Sequence, residues 1–380
     1  IRIQQKIKIL ITYIQLLTLL TSNLKIKWPD FVYNIIDDMD FVNMDIFGLT
    51  NEDVHCTMNI NYYKKFIFSM CLIPGSLILL YTSQFIAEKI INRYYKKSNK
   101  FNDIQKDLNI KLEIEKIRER TFYATVLFVF LLYPPTTDTI LKMYKCSYYE
   151  DEWYLTADLS IKCFDPTWDL YAGFAGLFIF IYIIGIPLIF HRILTRLNKQ
   201  TKENKQFDMY TDKKTLYRYG FLFEGYKPEY YYFETVEMTK KIILMSTVIY
   251  LDESPTRIMI ASLIVFIYAL LVSYLQPLDN LRDNLLNMMA GVELFMLLLF
   301  GLILEVKINE QDHYNQFALD AFIFILIFGA IFFGNYELLV SVVKSCYCDA
   351  ECKNKILGCL RNKKEESTSE INTTDSDNKE

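Results

Sequence analysis

Long uncharged stretches decide what this chain can fold into. Residues 66–87, 121–141, 170–190, 258–278 and 285–306 are almost wholly apolar, and each is about the length a helix needs to cross a bilayer core of roughly 30 Å. Backbone groups inside lipid must pair within the spanning element, so such runs read as helices. A closed barrel would need alternation, and these runs are continuous. Only 12 Gly and 9 Pro are available among 380 residues, too few for the turns of a soluble domain this long, and 52% of residues are apolar. A sixth run, residues 317–340, holds Asp320 and Glu337 near its ends. Two weaker segments complete the set. Residues 9–24 lack charge but are short, and lying flat in the interface is the alternative to spanning. Residues 231–251 carry Glu234, Glu237, Lys240 and Lys241 ahead of an apolar second half. The predicted fold is an all-α membrane protein, a polytopic bundle of about eight transmembrane helices within residues 1–343, followed by a tail over residues 344–380.

Connector charge orients the bundle. Residues 88–120 are rich in Lys and Arg, as are the stretch after Phe190 and the start of the tail, whereas residues 26–65 and 142–169 are acidic. Basic connectors stay in the cytosol. With eight spans every connector alternates correctly and both ends are cytosolic. The chain opens at Ile1 without a signal-peptide pattern, which reads as part of a longer polypeptide.

The cysteines separate by side. Cys146 and Cys163 share one acidic connector and are a disulfide candidate closing about 18 residues; two free thiols, or pairing of either with Cys56, are the alternatives, and the partner of Cys56 stays open. Cys71 reads as core filling. Cys346, Cys348, Cys352 and Cys359 lie beside lysines just after the last span, the setting for palmitoylation, with plain reduced thiols or a metal as alternatives. The last residues, KKEESTSEINTTDSDNKE, are acidic and read as disordered. Phe101, Ile104, Leu108, Leu112 and Ile117 recur at near-helical spacing, so the first basic connector holds an amphipathic helix, lying on the leaflet, docked on the bundle or simply solvated.

Three scattered histidines and the lack of an HExxH, a phosphate loop or a GxSxG argue against an enzyme, a catalytic residue, a cofactor or a resident metal. Basic residues are accounted for by membrane flanks, so nucleic acid is not an expected partner. Ionisable residues inside spans are costly and often functional. Glu293, Asp320, Glu234, Glu237 and Lys241 form the possible intramembrane polar site. Glu293 fits either a cation or relay role or a buried structural carboxylate. Glu237 and Lys241 have ion-pair spacing on a helix and suit an interfacial pair. The aromatic stretch from Tyr217 to Phe233 contains Gly220, Gly225 and Pro228, so it is an elbow, not one straight helix.

The segments YGFLFEGYKPEYYYFETVEMTKK, QPLDNLRDNLLNMM, WYLTADLSIKC, GIPL and KIKILITYIQLL resemble the carboxy-terminal multi-span region of large protist surface proteins, the cysteine repeat modular proteins of apicomplexan parasites among them. The resemblance covers most of residues 5–340. It implies a plasma-membrane or secretory-organelle location, a receptor, adhesion or secretion-related role, and a membrane region loosely similar to TRP channels. Expected partners are the lipid bilayer, further copies of the chain and an extracellular ligand held by an ectodomain outside this chain. The alternatives are a TRP-like cation channel and a lipid or small-solute transporter.

Overall fold

The computed structural model describes residues 2–24, 61–97, 103–204, 206–251 and 254–307, with residues 26, 28, 34, 39, 329, 332 and 336. The elements are α1 (Arg2–Leu24), α2 (Tyr62–Lys97), α3 (Asp103–Lys142), a sheet of β1 (Cys146–Tyr149), β2 (Glu152–Leu155) and β3 (Asp158–Lys162), α4 (Pro166–Phe178), a π-helical turn (Ile179–Ile184), α5 (Gly185–Glu203), α6 (Lys213–Phe223), α7 (Phe233–Tyr250), α8 (Ser254–Leu275) and α9 (Leu281–Lys307). Helices α1, α2, α3, the continuous Pro166–Glu203 rod, α8 and α9 are long and apolar enough to cross a membrane. The chain is an integral membrane protein of mainly helical fold. Helix α7 falls outside that set of six, because four charges occupy its first half. The expected span at residues 317–340, Asp320 with it, lies outside the described residues but for three isolated positions; so do the tail and Cys346, Cys348, Cys352 and Cys359.

The Pro166–Glu203 rod shows how sequence sets depth. Asp165 caps it by accepting from the Thr167 backbone N–H at 3.3 Å, with Pro166 in the first turn, where no backbone donor is needed. Trp168, Ala172, Ala175, Ile183, Ile186 and Phe190 face inward. Leu170, Phe174, Leu177, Ile181, Ile184, Leu188 and Ile189 face outward, bounded by exposed Asp169 at one end and exposed His191 and Arg192 at the other. Leu170 and Ile189 are separated by about 28 Å of helix rise, close to the hydrocarbon thickness.

Prolines inside spans remove a backbone donor and orphan the carbonyl four residues earlier. Three such carbonyls are answered by side chains from neighbouring helices. Pro74 frees the Met70 carbonyl, which accepts from the Tyr182 hydroxyl at 3.1 Å. Pro135 frees that of Leu131, which accepts from Gln15 Nε2 at 3.0 Å. Pro187 frees that of Ile183, which accepts from the Tyr133 hydroxyl at 3.0 Å. These bonds tie α2 to the π turn, α1 to α3, and α3 to the π turn, as lipid demands of any freed backbone group. The end of α3 follows the same rule: the Thr139 carbonyl accepts from Tyr62 OH at 2.7 Å and that of Leu141 from Tyr250 OH at 2.9 Å.

Two expectations are corrected here. The acidic connector after α3 is not plain loop: it forms the antiparallel sheet β1-β2-β3, so the fold is not purely helical. Tyr148 opposes Trp153, and the two-residue turn places Glu150 and Asp151 at φ 46° and 68°, the positive values such hairpins require. Cys146 and Cys163 are joined by a disulfide with Cα atoms 6.4 Å apart. Cys71 is exposed on the outer side of α2 rather than buried. The amphipathic stretch around Leu108 and Leu112 is the first half of α3, continuous with the span. It is held to α2 by Arg118–Glu88 and to α6 by Lys214–Glu115, which is the docked arrangement among those open to it. Asp158 fastens the sheet to the bundle by accepting from the Tyr62 backbone N–H at 2.9 Å.

Candidate functional site

Helix α1 carries Lys6 and Lys8, two residues that a weak span would ordinarily hold in water. Both are buried, at 1% and 6% exposure. Each meets a carboxylate on another helix. Lys6 Nζ lies 3.5 Å from Asp283 Oδ1 on α9, and Lys8 Nζ pairs with Glu234 Oε2 on α7 while donating to the Phe221 carbonyl at 3.0 Å. The Tyr226 hydroxyl donates to the same Glu234 oxygen at 3.1 Å. Lys8 also lies over the rings of Phe221 and Tyr226, at 4.8 and 5.4 Å.

One turn further along α7, Glu237 gathers a second set of partners. Lys240 donates to its Oε2 at 2.6 Å, Tyr268 of α8 donates to its Oε1, and Asn287 of α9 approaches at 3.5 Å. The neighbour three residues on takes the carboxylate, whereas Lys241 reaches across to Thr12 Oγ1 at 3.4 Å and sits 4.6 Å from the Phe130 ring. The Glu237–Lys241 pair suggested by spacing is therefore replaced by Glu237–Lys240. The group is enclosed by protein: Glu234 is 0% and Lys241 1% exposed. Such charges are tolerated only with paired partners.

The elbow between α6 and α7 explains why these groups converge. It pairs with the elbow between α8 and α9: Lys227 N–H donates to the Pro277 carbonyl at 2.9 Å, and Asp279 N–H to that of Gly225 at 3.0 Å. Asn284 holds the second elbow, accepting from Leu278 N–H at 3.0 Å and donating to its carbonyl at 2.7 Å. Gly225 leaves room for Gln5, whose side chain would lie 2.1 Å from a Cβ there and would have to move for any other residue. Thus Lys6 and Lys8 of α1, Glu234, Glu237, Lys240 and Lys241 of α7, Tyr268 of α8 and Asp283 and Asn287 of α9 form one buried network. Small cavities of about 30 and 20 Å³ adjoin it, sharing Ile9, Thr12 and Asn287 as walls.

Of the residues expected at an intramembrane site, Glu234, Glu237 and Lys241 come together here. Glu293 does not: it lies ten residues, about 15 Å of rise, beyond Asp283 on α9. Its Oε1 is 2.6 Å from where a Cβ on Gly329 would stand. Lys6, Lys8, Tyr226, Tyr268, Asp283 and Asn287 were missed. The available signal was two lysines inside an otherwise apolar amphipathic segment. Among the described residues no cluster of His, Cys, Asp and Glu could hold a metal ion.

Outside the membrane, Glu152 is held below the usual carboxylate range by its hydrogen bonds from Lys162 and Tyr154, and the Lys162 ammonium is correspondingly raised. Asp212, which caps α6 by accepting from the Thr215 backbone N–H at 2.8 Å, is lowered by hydrogen bonds from the Thr215 side chain and backbone.

A family model described as transient receptor potential (TRP) ion channel matches residues 61–348. Over 174 residues the chain is 29% identical to Cysteine repeat modular protein A of Toxoplasma gondii, a stretch that is 42% of this chain and 5% of that protein. The chain thus corresponds to a small fraction of that relative's length. No solved structure matches it.

Proposed function

Because the chain belongs to the transient receptor potential ion channel family, we propose that it is the membrane-embedded, non-enzymatic module of a much larger surface protein with a receptor, adhesion or secretion-related role. The similarity to a cysteine repeat modular protein, of which the matched stretch is 5%, supports a large extramembrane portion. The observation that carries the reading is the buried ionic network. It clamps α1 to α7 and α9 with Lys8–Glu234 and Lys6–Asp283, so displacement of α1 is passed to the helices beside it. Ion pairing of this kind needs partners in register, which is how a two-position element would be held in one position.

In this reading the basic connectors and both ends of the chain face the cytosol, and the sheet faces the opposite side of the plasma membrane or of a secretory organelle. An antibody raised against residues 344–380 tests the architecture: it is expected to detect a polypeptide far heavier than the 45.0 kDa of this chain. A cellular product of 45.0 kDa would overturn it.

A second reading, a cation channel, is favoured by the family match alone. It requires current across liposomes reconstituted with the protein and loss of that current in Glu293→Gln. Tight, silent liposomes would remove it.

A further inference from the structure

The sheet presents a surface that neither the lipid-facing helices nor the ionic network uses. Tyr148, Trp153 and Phe164 are 56%, 46% and 63% exposed. Their rings form a row, with centroids 5.4 Å apart between Tyr148 and Trp153 and 6.3 Å between Trp153 and Phe164. Phe164 in turn lies 5.0 Å from Trp168, which is 7% exposed and whose buried indole Nε1–H has no hydrogen-bond partner among the described residues. Residues 146–169 hold six carboxylates against the single cation of Lys162, which is already bonded to Glu152. Glu150, Asp151 and Asp165 are exposed, Asp165 next to Phe164 in the chain, and Asp151 accepts from the Tyr148 hydroxyl at 3.2 Å.

Aromatic faces edged by carboxylates attract cations by ring quadrupole and Coulomb force together. We propose that the row Tyr148–Trp153–Phe164, with Glu150, Asp151 and Asp165, docks an arginine- or lysine-bearing polypeptide segment of another protein. A peptide supplies the element the surface lacks: cationic side chains for the rings and acids.

The test uses the full chain in phosphatidylcholine nanodiscs and a fluorescent hexa-arginine peptide, with empty nanodiscs and hexa-glutamate as comparators. Binding is expected to hexa-arginine alone. It should weaken by about tenfold when salt rises from roughly 0.05 to 0.5 M, because exposed charges are screened. Phe164→Ser and the double variant Glu150→Gln, Asp151→Asn should each weaken it by about tenfold. Retention of the Cys146–Cys163 disulfide, read by mass after alkylation, shows that the sheet has formed in each variant. Absence of hexa-arginine binding, or binding unchanged in both variants with the disulfide intact, overturns the proposal. So does saturation of the site by tetramethylammonium without peptide binding, which would assign the surface to choline headgroups.

Discussion

Replacing Tyr182 with Phe keeps the ring and removes one hydroxyl. In this fold that hydroxyl answers the Met70 carbonyl freed by Pro74, at 3.1 Å. A buried acceptor left without a donor costs about 1–3 kcal/mol, and interhelical hydrogen bonds measured in membranes average about 0.6 with a maximum near 1.7 kcal/mol. Tyr182→Phe should therefore destabilise the protein by about 1 kcal/mol. Pro74→Ala restores the backbone donor to α2, and the Met70 carbonyl then needs nothing from Tyr182. In that background Tyr182→Phe should cost no more than a few tenths, leaving a coupling of roughly 1 kcal/mol. Equilibrium unfolding in mixed micelles with increasing dodecyl sulfate, followed by far-ultraviolet circular dichroism, measures all four proteins. An equal penalty in both backgrounds would refute the argument, since the hydroxyl would then be serving something other than the proline-freed carbonyl.

Further tests address the network, the sheet and the α6 cap. Lys8→Met strands the Glu234 carboxylate in the core and should cost about 3–5 kcal/mol, whereas Lys8→Met with Glu234→Leu should recover most of the loss, both read from the same unfolding series. Opening the Cys146–Cys163 disulfide, which spans 17 positions, should cost the sheet about 3 kcal/mol; limited proteolysis between β1 and β3 would accelerate while helical dichroism stays unchanged. Asp212 titrates below its ordinary value in the folded protein, so its contribution is full above about pH 4. That contribution is lost as pH falls through the lowered value. Asp212→Ala should cost about 1 kcal/mol at neutral pH and abolish this acid-side loss, as seen in hydrogen exchange of the first turn of α6.

Much of the architecture was legible because lipid is a demanding solvent. An apolar run of twenty residues has few structures open to it, so α2, α8, α9 and the Pro166–Glu203 rod could be placed from composition and length. The break near Gly225 and Pro228 was equally legible, since local backbone chemistry decides it. The sheet was not: its strands are four or five residues long, and Tyr148 and Trp153 read as connector until their cross-strand pairing is seen.

The chain order alone thus determined where helices run and where prolines free a carbonyl, since both follow from bonds within about four residues. Tertiary structure decided who answers. Tyr182, Gln15 and Tyr133 are distant in sequence from the carbonyls they meet, and Lys6 and Lys8 stand more than two hundred residues from Asp283 and Glu234. Burying a charge sets a cost that spacing can announce, but the partner that offsets it is whichever side chain the packed helices bring within about 3 Å. Lys240, one residue short of the expected Lys241, holds Glu237 for that reason, and Lys241 turns to Thr12 on a different helix.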